Sequence, residues 1–192
     1  MSTETLARAF AMTREILANT TPDQYDRPTP CESWNVRALA NHIVEGANWF
    51  ALCVDGGAAP DPDPTHGVDF AAGDLLASYD DGARATLAAF GAPGAQDRLI
   101  KLPFGELPGA VFMAIATNDV FTHGWDLADA TGQPTDLDPE IATQLLAQLR
   151  GFVSDDLRGP DGEAPFGPAV DPPTAASPAA QLAAFLGRHP VA

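Results

Sequence analysis

Thr117-Asn118-Asp119-Val120-Phe121-Thr122-His123-Gly124-Trp125-Asp126-Leu127-Ala128 lies in a run otherwise rich in Val, Phe, Ile, Met and Ala. An α-helix turns once in about 3.6 residues, so Asp119, His123 and Asp126, at i, i+4 and i+7, fall on one face. A carboxylate and an imidazole one turn apart lean to the same side and can grip one metal ion. Two ligands do not make a site, and His42 is the best candidate for a third. The competing reading is an i,i+4 polar pair on a solvated face.

The helix carrying this stripe is expected over about 109–130, entered through Pro108 and ended by Gly132 and Pro134, in the order helix termini favour. Leu6, Phe10, Thr13 and Leu17 recur at helical spacing over 3–19. Asn35 is a good N-cap for a second helix over about 36–53, with Val36, Leu39, Ile43, Ala47 and Phe50 as its apolar stripe. His42 lies beside that stripe and can point inward, either as a hydrogen-bonded core residue or as a ligand. A third helix is expected over about 69–90, and a fifth begins at Asp138-Pro139 and runs to about Phe152. A short last helix follows Pro178 and closes at Gly187. Residues 55–68, including His66, read as exposed loop; Arg98–Leu102 reads as an extended crossover or a small strand; residues 155–177 read as irregular. The whole is an all-α four-helix bundle, residues 1–135, with residues 136–192 as a helical and Pro/Gly-rich extension packed on it. In bundles, metal sites are built in the core from side chains on facing helices.

The chain has 192 residues, 45% hydrophobic, so it can bury a sizeable core. Its net charge is −16 and its pI about 4.2, which argue against nucleic acid and anionic lipid as partners. Cys31 and Cys53 are too few for a disulfide framework or a cysteine-built metal site. With no apolar run long enough for a membrane span and no signal-peptide pattern, the expectation is a cytoplasmic protein. A homodimer is compatible with the sequence, which does not set the oligomeric state.

Pro28-Thr29-Pro30-Cys31-Glu32-Ser33-Trp34-Asn35-Val36-Arg37, followed by Asn41-His42, resembles the opening motif of the mycothiol-dependent maleylpyruvate isomerase N-terminal family. Asp119 to Ala128, then Ala130-Thr131-Gly132-Gln133, resembles that family's second signature. Pro103-Phe104-Gly105, Phe166-Gly167-Pro168 and Leu186-Gly187-Arg188 are similar to a metal-binding subgroup. The resemblance covers nearly the whole chain. It implies a DinB-like bundle whose metal, usually zinc or otherwise another divalent ion, is held by His42, Asp119 and His123, with mycothiol or a similar small thiol as cofactor. The chain departs from the isomerase in having Asp119 where that enzyme has Glu, and only residues 136–192 where it has a full second domain. Thiol chemistry, rather than maleylpyruvate isomerisation itself, is what the resemblance implies.

Three functions follow. The first is an enzyme in which the metal activates a thiolate toward a small electrophile, for transfer or for cis–trans isomerisation. The second is a non-catalytic metal- or small-ligand-binding protein. The third is a non-haem Fe(II) enzyme, whose facial triad also uses two His and one carboxylate. Asp126 is placed to hydrogen-bond a ligand imidazole from behind or to cap local backbone, and Arg37 to hold a substrate carboxylate near His42 or to form an ordinary ion pair. Cys31 reads as a buried structural thiol or a reactive one near a helix start. Trp34, Trp49 and Trp125 read as core or rim packing, and His189 as exposed or structural.

Overall fold

A computed structural model of the chain describes residues 1–56, 67–160 and 162–190; residues 57–66, within the stretch expected as exposed loop and including His66, lie outside them. Among the described residues are six helices, α1 (Thr3–Ala18), α2 (Val36–Val54), α3 (Leu75–Gly91), α4 (Gly109–Thr131), α5 (Pro139–Phe152) and α6 (Pro178–Phe185). Local chemistry accounts for where they start. The side chains of Ser2, Asn35, Asp74, Asp138 and Ser177 each accept an N–H from the first turn of the helix that follows. Gly132, at φ 73°, ends α4 in the left-handed conformation that glycine adopts without steric cost.

One expectation changes and one is extended. The third helix begins at Leu75 rather than near 69, because Asp74 caps it and Gly73, a poor helix former, separates it from the short 3-10 turn Phe70–Ala72. The extended stretch before α4 is one arm of an antiparallel hairpin, β1 (Leu99–Leu102) with β2 (Gly105–Pro108). Its turn uses Gly105 at φ 135°. β1 alternates, with Ile100 and Leu102 buried, whereas β2 is mostly exposed and leaves no periodic signal.

The bundle packs α1 against α3 and α4, and α2 against α3 and α4. The sequential pair α1 and α2 and the pair α3 and α4 therefore lie across diagonals. The hairpin carries the chain across the second diagonal, so the topology is not simple up-and-down. The ring order makes α2 and α4 neighbours, as a shared site on them requires. Leu6, Leu17, Leu39, Tyr79, Phe90, Phe112 and Phe121 are fully buried between the helices. Phe112 has Trp49, Phe50 and Phe90 around it at centroid separations of 5.6–5.8 Å, and the buried Tyr79 hydroxyl donates to the Phe10 carbonyl at 3.1 Å. Among the described residues no helix is long and apolar enough to cross a membrane.

α1 and α4 pack closely at Gly124. A Cβ there would stand 2.5 Å from Thr13 Oγ1, whose hydroxyl donates to the Val120 carbonyl at 2.9 Å. Gly124→Ala is therefore expected to destabilise the protein by about 1–3 kcal/mol, the usual cost of overpacking, although Ala is the better helix former. Urea unfolding checks this, and an unchanged or raised midpoint would refute the close-packing argument.

α5 and α6 pack together and rest on α4. Arg8 of α1 forks onto Asp138 and Glu140 at the start of α5, tying this extension to a second bundle helix.

Candidate metal centre

α2 contributes His42, and α4 contributes Asp119 and His123. His42 Nε2 lies 3.8 Å and His123 Nε2 3.6 Å from Asp119 Oδ1. The two imidazoles meet edge to face, centroids 4.8 Å apart and planes at 86°. Gly46 faces this point from α2, where even a Cβ would come to 3.4 Å from Asp119 Oδ2. Trp34, just before the α2 cap, forms a wall, its ring 4.5 Å from that of His42 and 5.6 Å from that of His123. The cap Asn35 thus sets both where α2 begins and where Trp34 leaves the loop.

The donor set fits a divalent ion. A tetrahedral site with bonds of about 2.0–2.2 Å holds its ligand atoms roughly 3.4 Å apart. Three donors from His42, Asp119 and His123 here all lie within 4.8 Å of one another, so small side-chain adjustments would close them on one ion. Two imidazoles and a carboxylate suit zinc and leave a coordination position open.

A second set of donors, Cys31, His123 and Asp126, is equally compact, but it already contains a cation. Arg188 donates to Asp126 through Nε at 3.0 Å and Nη2 at 2.8 Å, and Nη2 lies 3.6 Å from Cys31 Sγ. A metal ion placed there would have to displace or repel that guanidinium. Asp126 is fully buried and also faces His123 Nδ1 at 3.1 Å and the Cys31 thiol at 3.3 Å. It therefore sits behind the His123 ring, while Nε2 faces Asp119.

The electrostatics follow from these contacts. Burial opposes ionisation of Asp126, but Arg188 and His123 outweigh it and hold the carboxyl well below the usual range. Burial likewise opposes charge on His123, yet Asp126, Cys31 and Asp119 push the imidazole up to about 10. Asp119 is lowered, with His42 and His123 outweighing its burial. Burial, reinforced by Asp126, raises the Cys31 thiol, and burial raises Cys53 to about 11. Both shifts favour the thiol over the more nucleophilic thiolate.

The structure brings His42, Asp119, His123 and Asp126 together. Arg37 is instead forked onto Asp69 and stacked over Tyr25, 5.4 Å from its centroid, in an ordinary surface ion pair. Trp49 and Trp125 are core residues, whereas Trp34 belongs to the site. Sequence reasoning gave no role to Arg188. It had entered only as part of Leu186-Gly187-Arg188, one of the motifs similar to the metal-binding subgroup, just after the last helix. Gly187, at φ 91° and packed so tightly that a Cβ would stand 2.6 Å from Gly167 Cα, turns the chain there.

Comparison with known proteins bears on the family and the fold. The family model for the mycothiol maleylpyruvate isomerase N-terminal domain matches residues 6–128. Uncharacterized proteins from two strains of Mycobacterium tuberculosis are each 42% identical over 177 residues, spanning 90% of this chain and 90% of the relative. The crystal structure of the mycothiol-dependent maleylpyruvate isomerase matches the fold with a TM-score of 0.58 at 17% identity, covering 77% of this chain and 68% of that one.

Proposed function

The chain belongs to the mycothiol maleylpyruvate isomerase N-terminal domain family, and on that premise we infer that it is a metal-dependent, thiol-using transferase or isomerase acting on a small electrophile. The observation that carries this reading is the convergence of His42, Asp119 and His123 from two helices. Those three residues would hold a divalent ion, zinc by donor type. When bound, the ion would lower the pKa of a coordinated thiol and keep it as thiolate. Residues 1–135 would form the metal-binding bundle and 136–192 the extension that closes one side.

The chain's own residues divide the remaining work. Asp119 and the two imidazoles would orient the site, and Trp34 would wall one side of it. Burial disfavours the thiolate form of both cysteines. The thiol would be supplied by a cofactor, mycothiol or a similar small thiol, in keeping with the family. Its sulfur would form a C–S bond to an electrophilic carbon. In transfer the proton lost by the thiol ends on the adjacent carbon. In isomerisation the C–S bond breaks again after rotation about the former double bond.

The test is incubation of zinc-loaded protein with mycothiol and a panel of electrophiles. A metal-dependent rate above the uncatalysed reaction is expected with at least one of them. No such rate with any, while the metal stays bound and thiols leave its coordination unperturbed, would replace this reading with a binding protein. Elemental analysis of protein purified without chelator separates zinc from Fe(II), which the same donor set suits.

A further inference from the structure

Asp126 and Arg188 form a buried ion pair across 62 positions of sequence, joining α4 to the segment that follows α6. A buried pair of this kind is weak evidence for stability, because desolvating both charges offsets much of their attraction. Its geometry points elsewhere. Both guanidinium donors reach Asp126, one to each carboxylate oxygen, and Oδ2 also faces His123 Nδ1. The Arg188 fork therefore fixes the plane of the carboxylate, and the carboxylate fixes the plane of the imidazole. A ring whose Nδ1–H is anchored presents its Nε2 lone pair in one direction, toward Asp119 and His42. His42 has no counterpart, since its Nδ1 is buried without a hydrogen-bond partner among the described residues.

We propose that Arg188 is a positioning residue of the metal centre, acting through Asp126 on His123, so that the C-terminal segment completes a site whose ligands all come from the bundle. This rests on the reading of His42, Asp119 and His123 as metal ligands. Gly187 and Gly167, packed backbone to backbone, set the point from which Arg188 enters. The Cys31 thiol, donating to Asp126 Oδ2, is a third partner residue of the same carboxylate.

The experiment measures zinc affinity of the full chain by competition with a chromophoric chelator. It also records the ring nitrogens of His123 by 15N NMR on metal-free protein. The variants are Arg188→Lys, Arg188→Met, Asp126→Ala and the Asp126→Ala/Arg188→Met pair, each checked for helicity. Arg188→Met leaves a buried carboxylate unpaired and is at risk of not folding; Arg188→Lys keeps a cation but loses the fork, and the double variant removes both charges. Outer partners of a metal-ligating histidine typically change metal affinity about 10–100-fold. Arg188→Lys should weaken zinc binding toward that range, Asp126→Ala should fall within it, and the double variant should bind no worse than Asp126→Ala. The His123 Nδ1 signal should move in Arg188→Lys, which a merely structural role would not require. Wild-type affinity and an unmoved His123 signal in folded Arg188→Lys would overturn the inference while leaving the metal centre standing. Multiplicative losses in the double variant would also overturn it. A wild-type protein that binds no zinc, or a His123→Ala variant that binds it as tightly, would overturn the metal centre and this inference with it.

Discussion

His123→Ala is expected to weaken zinc binding by about sixtyfold to about 700-fold. Structural zinc sites contribute about 10–16 kcal/mol, and sharing that over four coordination positions, three of them protein ligands here, assigns about 2.5–4 kcal/mol to each, with about 1.4 kcal/mol per factor of ten. His42→Ala should lose less. Its imidazole lacks a partner behind the ring, and a metal on Nε2 would leave a buried N–H unsatisfied at Nδ1. Both variants should stay helical, because Ala is the better helix former and neither ring is needed to define the ring order of the four helices. Competition titration with circular dichroism on the same samples checks both parts. One zinc per chain at wild-type affinity in both variants would remove the metal centre.

The site was legible in the sequence to different depths for different residues, and the reason is sequence distance. Asp119 and His123 stand one turn apart, so helix geometry alone puts them on one face. Asp126, three residues beyond His123, was legible in the same way, and its contact with His123 Nδ1 is what that spacing allows. His42 was identifiable only as the right residue type on an apolar helix, and the ring order of the bundle brings it to Asp119. Arg188 was out of reach, because its role depends on how the last turn docks and on the backbone contact of Gly187 with Gly167. Arg37 shows the reverse. It sits in a family motif near His42, and a surface carboxylate from the next connection, Asp69, takes up its fork. In the fold, capping residues and amphipathic spacing marked most helices to within a residue or two. The hairpin escaped because β2 is exposed and carries Pro108 and Gly105, which break the alternation that identifies a strand.

Zinc affinity is expected to keep rising with pH well beyond the ordinary imidazole range. In the metal-free protein His123 is pushed up to about 10 by Asp126, Cys31 and Asp119 against the opposing effect of burial. Below that value the ring carries two protons, and metal binding must expel the one on Nε2 while the Nδ1–H stays on Asp126. One proton released per ion makes the apparent affinity rise about tenfold per pH unit, or about a hundredfold between pH 6.5 and 8.5. An unperturbed histidine, with a pKa of about 6.5, would let the curve flatten above neutrality. The stability of the metal-free protein runs the other way. A folded-state pKa above the unfolded one contributes stability fully present below about 6.5 and lost as pH rises toward about 10. The metal-free melting temperature should therefore fall over that window, and zinc should raise it most at the alkaline end. Asp126→Asn removes the carboxylate that holds the proton, so its affinity curve should level off at lower pH. Calorimetric titrations in buffers of different ionisation enthalpy count the proton directly. A wild-type curve that levels off near pH 7, or zinc uptake with no proton released at pH 7.5, would show that Asp126 does not hold His123 charged.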